Sequence, residues 1–159
     1  MIKPPTKFID LDFETRSRTA IATGAWRYSI CESTDVLWLK YSIKGKMYTW
    51  RIGDKPPGKL FRYLKKGYHL RAFNSFFEYC IWKNVCETKL GWPSVDIGQF
   101  YCVQAMAQAK SFPGSLAGAA EALELPTTKD KEGKRLINMF SKPSRKADED
   151  WKEPENYPE

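Results

Sequence analysis

Asp10, Asp12 and Glu14 stand at alternate positions in the run Phe8-Ile9-Asp10-Leu11-Asp12-Phe13-Glu14-Thr15, with Ile9, Leu11 and Phe13 on the other phase. Strand side chains repeat every second residue, so this alternation predicts a β-strand with one apolar and one acidic face. Like charges along one face repel, and Asp and Glu are poor strand formers. Two readings account for them. At a sheet edge the acids stay in water and discourage aggregation. In a strand that opens a buried sheet they need a cation, and an all-oxygen set suits a hard divalent ion, Mg²⁺ or Mn²⁺. The residues alone leave both readings open. A further acid, Glu78, falls on the first turn of a predicted helix, where the helix dipole favours an anion whether or not it does chemistry.

The elements that must position these acids can be read in order. Residues 16 to 25 are polar and small and predict a connection. Val36 to Ile43 is strongly strand-like, and Lys44-Gly45 predicts a tight turn into a strand from Met47 to Ile52. A loop through Pro56-Pro57-Gly58 leads to a helix marked by Leu60, Phe61 and Leu64 and closed by Lys65-Lys66-Gly67. His69 to Phe73 fits a fourth strand. Asn74 or Ser75 can then cap a helix running to about Cys86, and Gly91-Trp92-Pro93 breaks it. Asp96 to Lys110 has helical apolar spacing at Ile97, Phe100, Tyr101 and Ala105. Ser115 to Leu125 predicts another short helix, and Leu136, Ile137 and Phe140 a last one. The order predicts an α/β fold, a mixed sheet with helices packed on it rather than a βαβ repeat. Of the tryptophans, Trp38, Trp50 and Trp82 are expected in the core or sheet.

Composition narrows the function classes. At 159 residues one domain is expected, placed at 1–143, with a polar tail at 144–159 that can bury little by itself. The formal net charge of +7 favours a polyanionic partner, nucleic acid first. No apolar run is long enough to span a membrane, and the N-terminal residues lack a signal core, so the cytoplasm is the expected compartment. The four cysteines show no CxxC spacing, and His69 is the only histidine, which argues against a zinc site or a histidine-based triad. No glycine-rich phosphate-binding motif occurs. Candidates for a groove that tracks a strand are Arg16, Arg18, Lys65, Lys66, Arg71, Lys129, Lys131, Lys134 and Arg135.

Two segments together resemble a known family. Leu11-Asp12-Phe13-Glu14-Thr15-Arg16-Ser17 resembles the first motif of the 3′–5′ proofreading exonucleases with a ribonuclease H-like fold, the DEDD superfamily. Asn74-Ser75-Phe76-Phe77-Glu78 resembles their second motif, with Glu where Asp is usual. The chain is most similar to the amino-terminal exonuclease domain of phage-type family A DNA polymerases, whose downstream signature resembles Ser115-Leu116, Lys129-Asp130, Gly133, Leu136-Ile137 and Phe140-Ser141-Lys142-Pro143. The resemblance implies a ribonuclease H-like sheet and a phosphodiesterase that uses two Mg²⁺ or Mn²⁺ ions to clamp the 3′ terminal phosphate, one ion making hydroxide available and the other stabilising the leaving oxygen. It implies Asp12, Glu14 and Glu78 as catalytic metal ligands, with Asp12 bridging. It implies Thr15 and Asn74 as contacts to the terminal nucleotide or as groups that orient the carboxylates, and Phe77 with neighbouring aromatics as stacking on or wedging the terminal bases. Arg16 and Arg18, close in sequence to these carboxylates, are the first nucleic-acid-binding candidates among the basic residues. Asp10 precedes the motif and is read as structural. The implied partners are single-stranded DNA or a primer 3′ end and a polymerase domain or complementary chain.

One departure bears on activity. The family's third motif, Tyr-x-x-x-Asp, supplies a last metal carboxylate and does not occur in these residues. Asp148 and Asp150 are alternatives, but their tail position argues against them. The expectation is a domain lacking its C-terminal part and a poor nuclease by itself, completed by a following segment or partner chain. The alternative is a non-catalytic nucleic-acid-binding or polymerase-associated module on the same fold, or a small basic protein of the phage that binds another protein.

Overall fold

The computed structural model describes residues 5–126 together with Ser141. The helix expected around Leu136, the tail from 144, Asp148, Asp150 and the basic residues from Lys129 to Arg135 lie outside the described residues.

Strand β1 runs from Phe8 to Arg16, and its burial alternates as the sequence pattern requires: Ile9, Leu11, Phe13 and Thr15 are buried, and Asp10, Asp12 and Glu14 are exposed. It is not an edge. The sheet has five strands in the order β3-β2-β1-β4-β5, which puts β1 at the centre. β2 (Asp35–Ile43) pairs antiparallel with β1, and β3 (Lys46–Arg51) pairs antiparallel with β2. Their two-residue turn puts both Lys44 and Gly45 at positive φ, 51° and 76°, the mirror-image geometry that suits the twist of a hairpin. β4 (His69–Ala72) runs parallel to β1, and β5 (Phe100–Cys102) parallel to β4.

β5 corrects the sequence reading. Asp96 to Lys110 is not one helix but a 3-10 turn at Ile97–Gln99, then β5, then α5 at Val103–Gln108. The helical spacing of Phe100 and Tyr101 is overridden by a ladder to β4, a non-local pairing that periodicity does not encode. β4, the helix after it and β5 therefore form one βαβ crossover, which the expectation of no βαβ repeat did not include.

Helices pack on the sheet. α1 (Ala25–Ile30) lies in the stretch between β1 and β2, for which no helix is expected from sequence. α2 (Gly58–Lys65) buries Leu60 and Leu64. α3 (Ser75–Ile81) continues without a break into a π-helical turn at Trp82–Glu87 and a last α turn, α4, at Thr88–Leu90. Gly91, in the left-handed region at φ 65°, ends it. α6 (Leu116–Ala122) starts at Ser115, whose hydroxyl accepts from the Gly118 amide. Trp82 is fully buried at the centre of the core, edge-on to Phe13, Phe61 and Trp92, and donates its indole N–H to the Pro93 carbonyl at 2.9 Å. Trp50 is buried as expected. Trp38 is a sheet residue but turns outward, 39% exposed, with the Arg51 guanidinium 5.2 Å from its ring. The result is a mixed five-stranded α/β sheet consistent with a ribonuclease H-like fold.

Candidate functional site

The parallel pairing of β1 with β4 covers only Phe8, Ile9 and Asp10 against His69, Leu70 and Arg71. β4 ends at Ala72, and the chain turns through Phe73 and Asn74 into α3. β1 continues to Arg16, so its edge toward β4 is open beyond Asp10. Asp12 and Glu14 lie on that open stretch, and Glu78 lies on the helix that starts where β4 stops. In open α/β sheets such a crevice, beyond the carboxyl ends of parallel strands, is where ligands bind.

Glu78 is the unusual member. It is 4% exposed, and its Oε2 is buried with no hydrogen-bond partner. Its pKa is pushed up to about 8, first by burial and then by the charge of Asp12, with the backbone amides of Glu78 and Phe13 pulling the other way. Helix-dipole capping explains a first-turn acid but not one buried with an orphaned oxygen. Asp12 lies within electrostatic reach of Glu78 and Glu14. Both β1 acids are accessible to solvent, yet partial burial raises their pKa values, against the lowering effect of Lys40.

Lys40 was not among the sequence candidates. It sits on β2 directly opposite Asp12 and on the same face of the sheet. Only the register reveals this, and the register includes an irregularity: Glu14 faces Trp38 but Thr15 faces Val36, so Leu37 is an extra residue on β2 beside the site. Tyr28 is the other residue that sequence reasoning missed, because α1 was not foreseen.

The remaining candidates divide. Asn74 occupies the N-cap position of α3, but its side chain makes no capping hydrogen bond and is exposed at the rim. Thr15 turns to the core side of β1, away from Asp12 and Glu14, and shares a 2.9 Å hydrogen bond with the Tyr28 hydroxyl. Phe77 is half-buried with its ring 5.8 Å from that of Tyr28, whereas its neighbour Phe76 is 51% exposed. Arg16 pairs with Asp35 at 3.2 Å. Arg18 is exposed, and its backbone amide donates to Ser33. Asp10 forms an ion pair with Arg71 at 2.5 Å.

The donor set, carboxylate oxygen with one buried oxygen lacking a partner, has the chemistry of a hard-cation site. Its convergence is incomplete: among the described residues, no group of three or more His, Cys, Asp or Glu side chains could hold a metal ion.

No family model matches the chain. The chain is similar to a phage DNA polymerase. It is 29% identical over 159 residues to a DNA polymerase of Bacillus phage SP02, a match covering 96% of this chain. The same match covers 24% of that polymerase, so the chain spans about a quarter of the length of the curated relative it matches. No helix among the described residues is long and apolar enough to cross a membrane.

Proposed function

We propose that this chain is the 3′–5′ exonuclease module of a phage DNA polymerase, acting on a primer or single-strand 3′ end in the cytoplasm of an infected bacterium. The observation that carries the reading is Glu78, buried beside Asp12 where β1 and β4 part, with one carboxylate oxygen that finds no hydrogen-bond partner among the described residues. The polymerase similarity over nearly the whole chain supports it.

Asp12, Glu14 and Glu78 would hold Mg²⁺ or Mn²⁺. A bound pair of such ions would supply Lewis-acid charge at the phosphate and a water acidic enough to attack at neutral pH. The chain's own residues do the rest. Asp12, between the other two acids, sets the charge at the centre of the crevice. The exposed amide of Asn74 is free of capping duty and available to the terminal nucleotide. Phe76 offers the more accessible ring for stacking, and Phe77 holds α3 against α1 through Tyr28. Thr15 acts from behind by fixing Tyr28 under the same helix. A carboxylate from another segment or a partner chain completes the site for full activity.

The test is a thermal-shift titration of the 159-residue chain with Mn²⁺, beside an assay of a 5′-labelled single strand. The expected result is a Mn²⁺-dependent rise in melting temperature that Asp12→Asn removes, with slow shortening from the 3′ end that the same substitution abolishes. A second reading, a non-catalytic nucleic-acid-binding module, is favoured by the lack of a three-ligand cluster among the described residues. Salt-sensitive binding of the strand with no response to Mn²⁺ would decide for it.

A further inference from the structure

The cations around the crevice are not equivalent. Arg71 is committed to Asp10 at 2.5 Å and lies over the Phe8 ring, and Arg16 is tied to Asp35 at 3.2 Å. Lys40 is different. The β1–β2 register sets it opposite Asp12, one step along from the pair Glu14 and Trp38, on the exposed face that carries both acids. It closes no ion pair among the described residues. A lysine stem is long enough to swing its ammonium over either acid or away from both.

We propose that Lys40 is a phosphate-binding residue of this site: its ammonium compensates Asp12 and Glu14 while the crevice holds no divalent ion, and turns to a phosphodiester oxygen of a single-stranded nucleic acid once one is held. The proposal rests on the metal-site reading given above. Its physical content is an exchange. A monovalent cation anchored one strand away offsets the repulsion between the acids, so that they can share one face of the sheet, but it competes with any dication that arrives. Displaced from the acids, it is already at the height of the substrate backbone, where an ammonium serves as a point charge for phosphate. Two effects of opposite sign follow from removing it, and a solvated surface lysine produces neither.

The experiment uses the full chain and three variants, Lys40→Gln, Lys40→Arg and Asp12→Asn. Mn²⁺ alone is titrated by calorimetry. Binding of a short 5′-labelled oligothymidylate is followed by anisotropy over a salt series, with Ca²⁺ present. Lys40→Gln is expected to raise Mn²⁺ affinity roughly tenfold, the order expected when a unit charge on the order of 5 Å from a dication is removed in a water-like medium. The same variant is expected to weaken oligonucleotide binding and reduce the logarithmic salt slope by about 0.7, one phosphate contact on a single strand. Lys40→Arg keeps both close to wild type. If Lys40→Gln changes neither quantity, or lowers both together with the melting temperature, the proposal is overturned. Asp12→Asn separates the two layers. Unchanged Mn²⁺ affinity in that variant defeats the metal site itself, whereas lost affinity beside a silent Lys40→Gln defeats only the role of the lysine.

Discussion

Replacing Glu78 by glutamine keeps the shape of the side chain and removes its charge, which isolates the electrostatics of the crevice. Glutamate normally ionises near 4.5; in the folded chain Glu78 is pushed up to about 8 by burial and by Asp12. Between those values the unfolded chain releases a proton that the folded chain retains, so the stability of the metal-free protein falls as pH rises through that window and levels off above it. At about 1.36 kcal/mol per decade, the separation corresponds to a ceiling of about 5 kcal/mol. Relaxation and water entry at an open site reduce this, and we expect a loss of about 2–4 kcal/mol attributable to Glu78. The assay is urea unfolding in EDTA at intervals from pH 5.5 to 8.5, for wild type and Glu78→Gln. Asp12 and Glu14 are raised by burial and contribute in the same direction, while Cys31, lowered to about 7, contributes in the opposite one. These groups are present in both proteins and largely cancel in the difference. The expected result is a variant with a much shallower decline, more stable than wild type at pH 8.5. Equal slopes in the two proteins would show that Glu78 is ionised and satisfied in the fold, and the argument for a cation site built on its orphaned oxygen would fail.

Other outcomes follow from the same structure. Trp82→Ala should cost about 3–5 kcal/mol in denaturant unfolding, because it removes the ring at the centre of the core and leaves the Pro93 carbonyl without its donor. Gly45→Ala, at φ 76° with open space around the added carbon, should cost about 1 kcal/mol through backbone strain alone and leave Mn²⁺ binding unchanged. Cys31, lowered to about 7 mainly by its contact with Ser33, should react with a disulfide reagent at neutral pH well before the buried Cys80 and Cys86; Cys31→Ser should shrink the fast phase of thiol release to the share of Cys102, which is half-buried and also lowered.

Much of this molecule was legible in its residues because the deciding forces were local. The alternation of Ile9, Leu11 and Phe13 with three acids determined a strand and its two faces, since a period of two admits no other burial. Lys44-Gly45 determined the hairpin turn, and Leu60 with Leu64 determined the buried face of α2. The sequence also singled out Asp12, Glu14 and Glu78, by spacing and by resemblance. What it did not contain is their relation. That Asp12 faces Lys40 depends on the register of β1 against β2, and that Glu78 is buried near Asp12 depends on β4 ending short of β1. Phe100 to Cys102 became a strand because β4 offered a ladder, and Thr15, on the inward phase of β1, found its hydroxyl partner in Tyr28, on an unforeseen helix. Local pattern decides which face of an element is apolar; pairing across long sequence separations decides which charged groups meet, and that was settled only by the tertiary structure.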